Sequence, residues 1–155
     1  MANEENKDTA MDEGIQVVAF KLHDEEYGVS ILNVQEIHNL TDITRVPFSA
    51  DFIKGVINLR GSVLPVIDLK QRLGLAESEY TDSTRIITVN VDDLLVGMLV
   101  DAVTEVLTIN SKPIDTKKAI NEKDIKYISG IGNIDGRLII MLNLREILGL
   151  PKEAK

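Results

Sequence analysis

Residues Phe52–Leu75 (FIKGVINLRGSVLPVIDLKQRLGL) and Tyr127–Leu150 (YISGIGNIDGRLIIMLNLREILGL) repeat one 24-residue pattern, without a gap, at an offset of 75 residues. Eight positions are identical: Ile53/Ile128, Gly55/Gly130, Asn58/Asn133, Gly61/Gly136, Leu69/Leu144, Leu73/Leu148, Gly74/Gly149 and Leu75/Leu150. Most of the others exchange like for like. Two copies are too few for a solenoid. They predict two similar small units side by side, and the seam between such units is a natural place for binding.

The chain has 155 residues, enough for one domain or two very small ones. A unit of ~60 residues buries only about 60% of the surface its unfolded chain exposes, so two such units gain by sharing a core. Charge is unevenly spread. Residues 1–14 carry Glu4, Glu5, Asp8, Asp12 and Glu13 against Lys7, which is −4 of the total −8. That stretch is polar and aperiodic and is expected to be a disordered acidic tail, with a domain over 15–150 and a short C-terminal tail over 151–155. No basic stripe is available to neutralise phosphates, and aromatic residues make up only 4%, so nucleic acid is not an expected partner. Cysteine is absent, which excludes disulfides and thiolate metal sites. The acidic N-terminus does not read as a secretory signal. The apolar stretch Leu94–Val100 is far too short to span a bilayer. A cytoplasmic protein without direct membrane insertion is expected.

Ile15–Leu22 and Tyr27–Val29 read as extended, separated by a polar turn. Ser30 is a plausible cap for a short helix over Ile31–Ile37, where Ile31, Val34 and Ile37 recur three residues apart. In the first copy, strands are expected over Ile53–Leu59 and Val63–Ile67 around an Arg60–Gly61 turn, then a helical turn over Leu69–Leu73 stopped at Gly74. A polar loop over Ala76–Ser83 leads to a strand over Arg85–Val91. Asp92–Asp93 turns the chain into one long extended run, Leu94–Ile109, with a bulge or bend at Gly97. Ser111–Lys126 reads as a charged connector. The second copy repeats the scheme, with strands over Ile131–Ile134 and Leu138–Leu142 around Asp135–Gly136, a strong hairpin signal. About eight to ten short strands with three helical pieces point to an all-β barrel or sandwich.

The duplication is its own control, since positions kept in both copies belong to the scaffold. Gly55/Gly130 and the turn glycines Gly61/Gly136 serve backbone geometry, and Asn58/Asn133 supports the turn. The tips differ. Asp135–Gly136 suits a tight hairpin, whereas Arg60 has no special fitness for one. From spacing alone Arg60 is either an ordinary exposed arginine or a long cation displayed for a carboxylate or a partner surface.

Little else carries chemistry. His23 and His38 lack the three or four converging ligands of a metal site. Asp92–Asp93 is better read as a turn. Ser129–Gly132 lacks the Lys-Ser/Thr ending of a phosphate loop. Asp68 and Asp101 have no lysine–threonine set in the sequence of the kind a phospho-acceptor aspartate needs. No nucleophile–base pairing stands out, and no metal, cofactor or catalytic residue is expected.

The stretch IKGVINLRGSVLPVIDL, Ile53–Leu69, resembles the signature of the CheW family of chemotaxis coupling proteins. EEYGVSILNVQEI (Glu25–Ile37), VGMLVDAVTEVL (Val96–Leu107) and SGIGNIDGRLIIMLNL (Ser129–Leu144) are similar to further family segments. The resemblance covers about Ile15 to Leu150. It implies an all-β fold of two intertwined five-stranded SH3-like barrels with a few short helices. It also implies a job without chemistry. Such proteins bridge transmembrane chemoreceptors to the histidine kinase CheA, docking on its regulatory domain and on the receptor's cytoplasmic tip. By motif match, Val34 and Glu36 (VQEI) and Arg60 (NLRG) are implied in partner binding. Gly55, Ile57, Asn58 and Leu59 are implied to line a groove that receives a receptor helix. The other reading, a small-ligand-binding or hydrolytic β-barrel, requires a polar cavity with converging ionisable groups.

Overall fold

A computed structural model describes residues 14–47, 51–77, 79–113 and 126–149, with the backbone alone for 110–113. The expected acidic tail, most of the Ser111–Lys126 connector and the C-terminal tail lie outside the described residues. The described elements run β1 (Ile15–Leu22), β2 (Glu25–Ser30), a 3-10 turn (Ile31–Asn33), β3 (Val34–Asn39), β4 (Ile53–Leu59), β5 (Ser62–Asp68), α1 (Leu69–Arg72), β6 (Arg85–Val91), β7 (Leu94–Val100), β8 (Ala102–Pro113), β9 (Ile128–Ile134), β10 (Arg137–Leu142) and α2 (Leu144–Leu148).

Two five-stranded sheets result. The first is a closed barrel in the order β1-β2-β10-β9-β8, and the second has the order β3-β6-β7-β5-β4. The chain begins the first barrel, leaves after β2 to build all of the second, and returns with β8. This path interlocks the two units. Their strands correspond one for one, and each has a single parallel pair, β10 with β2 and β5 with β7. Closure differs. β8 is 12 residues long and pairs with β1 through its first part and with β9 through its last. β3 has only 6 residues, and its continuation reaches β4 at one point. There Thr44 and Val56 exchange two backbone hydrogen bonds of 2.9 and 2.8 Å. The second unit is therefore an open sheet whose edges are linked by one bridge, not a barrel sealed by a full ladder.

The repeat is one supersecondary unit used twice, β4-β5-α1 and β9-β10-α2. Asp68 N–H donates to Phe52 O at 2.7 Å, and the equivalent Asn143 N–H donates to Tyr127 O at 2.9 Å. Asp68 and Asn143 then cap their helical turns, accepting from Gln71 and Glu146 N–H. Both hairpins turn with positive φ at two successive residues, 53° and 86° at Arg60–Gly61 and 51° and 84° at Asp135–Gly136. This is the backbone sense that matches strand twist in a two-residue turn.

Three apolar clusters form the core. One fills the first barrel, with Val17, Ala19, Ile109, Ile139 and Met141. One fills the second, with Ile57, Leu64, Val66, Ile86 and Leu99. The largest lies between them: Val18, Phe20 and Leu22 of β1 and Tyr27 and Val29 of β2 meet Ile87, Val89 and Val91 of β6 and Val96, Met98 and Val100 of β7. β1, β6 and β7 are thus buried on both faces, which explains their continuous apolar runs. α1 and α2 close the seam through Leu69, Leu144 and Ile147.

Two expected elements are corrected. The helix over Ile31–Ile37 is only a 3-10 turn, capped by Ser30 Oγ accepting from Leu32 N–H at 3.2 Å, followed by β3. Val34 faces Val89 and Glu36 faces Thr88, so Gln35 is a bulged extra residue. The bulge puts Val34 and Ile37 on one face although they are three apart, and so imitates a helical period. The Thr88 hydroxyl repairs the lost rung, accepting from Glu36 N–H at 3.0 Å and donating to Glu36 O at 3.2 Å. Likewise Leu94–Ile109 is not one strand. It bends at Asp101, whose N–H donates to Lys21 O at 3.0 Å, and there the chain crosses between sheets. Gly97 makes no bulge; it stands in register opposite Thr88 and Val66. A Cβ there would lie 2.9 Å from Ile86 Cγ2.

Two glycines test different physics. A Cβ on Gly55 would meet Thr44 O at 2.3 Å, backbone that cannot move without opening the Thr44–Val56 bridge. Gly55→Ala is expected to cost about 1–3 kcal/mol, as overpacking does. A Cβ on Gly136 meets nothing within 4 Å, so Gly136→Val acts through its φ of 84° alone. It is expected to cost about 1–2 kcal/mol. Urea midpoints followed by far-ultraviolet circular dichroism read both, and a wild-type midpoint for either variant contradicts its assignment.

Candidate functional site

The residues singled out from the sequence separate into two groups. Ile57 is 2% exposed and belongs to the core of the second unit, so the expectation that it lines a groove is corrected. Its place in the first barrel is taken by Gly132, where a Cβ would lie 2.3 Å from Ile109 Cδ1. One interior is filled from β9's partner strand and the other from β4. Gly55 is buried against Thr44, and Leu59 packs partly buried on the second core. Val34 packs on the seam. Asn58 Oδ1 accepts from Gly61 N–H at 3.0 Å, as Asn133 Oδ1 does from Gly136 N–H at 3.4 Å, so both asparagines hold their turns.

Glu36 and Arg60 do come together. Arg60 Nη1 lies 2.6 Å from Glu36 Oε2, with the Arg60 side chain 76% exposed. Glu36 stands opposite Thr88 on the inward-facing side of β3, so the pair closes the mouth of the second unit at the hairpin tip. His38 Nε2 lies 3.1 Å from Glu36 Oε1, though without good hydrogen-bond geometry. The hydrogen bond from Arg60 holds the Glu36 carboxyl below its ordinary pKa, and the nearby guanidinium charge acts in the same sense. Arg60 adopts a left-handed backbone that is unfavourable for a residue with a Cβ, and it gains only a screened surface contact in return. Fold stability does not explain its presence there.

The first barrel has the corresponding mouth, which the sequence did not reveal. Glu105 faces Ala19 just as Glu36 faces Thr88, with Thr104 as the bulged residue. Its arginine is Arg137, at the start of β10. Arg137 Nε and Nη2 reach Glu26 Oε1 and Oε2 at 3.0 and 2.7 Å, and Nη1 reaches Glu105 Oε2 at 2.6 Å. The hydrogen bonds to Glu26 and Glu105 raise the Arg137 pKa, and the bond from Arg137 lowers that of Glu26. Arg137 is engaged on both forks; Arg60 has one carboxylate and projects into solvent. Only the lack of a visible β-register concealed this set, because the repeat alignment already places Arg137 beside its turn.

The remaining polar groups are structural. Asp101, which the sequence left without a lysine, pairs with Lys70 Nζ at 2.7 Å and accepts from His23 N–H at 2.7 Å. Burial pushes its carboxyl up, but these hydrogen bonds outweigh that and its pKa lies below the ordinary value. His23 Nε2 lies 2.6 Å from Ala76 O. Asp92 of the Asp92–Asp93 turn pairs with Arg145, and Ser129–Gly132 lies within β9. Among the described residues no three His, Asp or Glu side chains converge as a metal site requires. A cleft of about 1050 Å³ on the flank of the second unit is lined by Asp42, Arg45, Asp51, Lys54, Glu77 and Tyr80 among others, with no histidine. No described helix is long and apolar enough to cross a membrane.

The Glu36–Arg60 contact has a pH signature. Because folding lowers the Glu36 pKa, the pair is complete above the ordinary carboxylate value and is lost only as pH falls through the lower, folded one. A carbon-detected titration should place the Glu36 midpoint below 4.5, its ordinary value. In Arg60→Ala the midpoint should rise; a midpoint unmoved by that substitution contradicts the contact.

Comparison with known proteins agrees with this architecture. Residues 16–152 match the family model described as CheW-like domain. The chain is 35% identical to Chemotaxis protein CheW of Klebsiella aerogenes over 142 residues, covering 91% of this chain and 86% of that one. It is 38% identical to Chemotaxis protein CheW of Bacillus subtilis over 136 residues, 87% of each chain. Among solved structures, the scaffolding protein TtCheW of Thermoanaerobacter tengcongensis is similar with a TM-score of 0.79 and 35% identity, covering 86% of this chain and 92% of that one. With its paired five-stranded sheets, its interlocked path and a family match over nearly the whole domain, the chain belongs to the CheW family.

Proposed function

We propose that this chain is a non-catalytic adaptor of chemotaxis signalling. It couples transmembrane chemoreceptors to the histidine kinase CheA, docking on the kinase's regulatory domain and on the receptor's cytoplasmic tip. It works in the cytoplasm and is recruited to membrane-associated receptor arrays. Family membership supplies the role. The observation that carries the site is the contrast between the two mouths, with Arg137 tied down by two carboxylates and Arg60 displayed at a tip on one.

The physical means are those of a docking surface. Exposed Val63 of β5, three residues on from Arg60, and Ile37 of β3, next to Glu36 on the strand's other face, offer apolar area. An amphipathic helical tip can lay its apolar face on such a patch, in the groove-binding mode, while the charges fix its register. Ile57 has no part in this, since it is core; Val34 and Leu59 act at the margins. Single contacts of this size are weak. An array makes them effective, because each link raises the local concentration at the next. A hydrolytic or small-ligand barrel gains nothing from the flank cleft, whose Lys54 already lies over the Tyr80 ring at 5.7 Å and 4.0 Å from Asp68.

Arg60→Glu should leave the melting temperature near wild type, because the arginine is exposed and its turn is held by Asn58 and Gly61. It should weaken association with the kinase regulatory domain or a receptor cytoplasmic fragment by at least tenfold in pull-down titrations. Undiminished binding to both, with the fold intact, removes the site. Failure of the wild-type chain to bind either removes the adaptor reading itself.

A further inference from the structure

A polar side chain of the first repeat copy reaches into the second. Arg72, the last residue of α1, crosses the seam to the other copy. Its Nε donates to Ile147 O at 2.8 Å and its Nη2 to Glu146 O at 3.3 Å. These carbonyls end α2; Glu146 O also accepts from the Gly149 N–H at 3.1 Å, so Arg72 shares it. The same guanidinium lies 4.0 Å from the Phe52 ring centroid and 5.1 Å from that of Tyr127. Phe52 and Tyr127 are the first residues of the two copies and are equivalent to each other, and Arg72 is equivalent to Ile147, whose carbonyl it binds. One planar cation thus lies over the matching aromatics of both copies and is forked onto the helix end of the second. Lysine cannot reproduce this, since it is a point charge without a fork or a stacking face.

We propose that Arg72 is a positioning residue that sets the angle between the two units, and so fixes how far apart and in what orientation the protein holds its partners. The seam core is apolar and its attraction is non-directional, whereas a forked guanidinium contact fixes a direction. The described contacts of Arg72 lie at the seam and at the end of α2, not at either mouth. Its loss should therefore loosen the geometry of bridging without erasing either docking surface. The consequence for bridging rests on the adaptor reading; the setting of the angle does not.

The absence of cysteine permits a clean spin-label test. Asn39 of β3 and Thr108 of β8 are exposed and occupy equivalent register positions in the two units. Labels on Asn39→Cys and Thr108→Cys should give a narrow distance distribution in pulsed electron paramagnetic resonance. Arg72→Met, which keeps an unbranched chain over the rings but neither fork nor charge, should broaden or shift it. Should Arg72→Met fail to fold, Arg72→Lys is expected to broaden it too. An unchanged distribution in the folded variant overturns the proposal. In the same variant, binding to the kinase regulatory domain alone and to the receptor fragment alone should stay within twofold of wild type, while assembly of all three falls at least fivefold. Equal losses in the separate and joint measurements contradict a positioning role. A broadened distribution in a chain that binds neither partner would leave the hinge in place and refute only the adaptor reading.

Discussion

Everything in this molecule depends on an apolar seam. Each unit is too small to bury a sufficient core of its own, and each interior holds a handful of buried side chains. The outer faces of β1 and β2 pack on those of β6 and β7 to make the largest cluster. This contact makes two marginal units one body.

The duplication separates the shared scaffold from the parts that differ between the two units. Turn asparagines, turn glycines, helix caps and the first aromatic of each copy do the same work twice. The mouths do not. In the first barrel Arg137 is consumed by Glu26 and Glu105 and seals the end. In the second the arginine has moved two residues toward the tip, into a left-handed backbone that suits asparagine, aspartate or glycine better. A strained residue with a screened partner contributes little to folding, and an adaptor has use for it as an exposed, pre-oriented cation.

Much of this was legible beforehand. The 75-residue offset gave the twin units, and the turn chemistry of Arg60–Gly61 and Asp135–Gly136 placed both hairpins. The family motif pointed to Glu36 and Arg60, which the fold brings to 2.6 Å. What escaped was whatever depended on register. The bulge at Gln35 gave β3 a false helical period, and the bend at Asp101 hid a sheet change inside an unbroken apolar run. The resemblance implied a groove position for Ile57, and alternation alone does not say which face is inward. Its counterpart Gly132, beside Ile109, was the available sign that this position faces a crowded interior. Glu105 and Arg72 were invisible for the same reason: their partners are 32 and 75 residues away and meet only through the closed fold.

The claim that the seam makes one rigid bridging body is tested most directly by native-state hydrogen exchange. The central amides of β1, β6 and β7 and those of the outlying β4 and β9 should share a single opening free energy equal to that of global unfolding, with denaturant. Two separate limits, one per unit, with the second unit exchanging while the first stays protected, would contradict it.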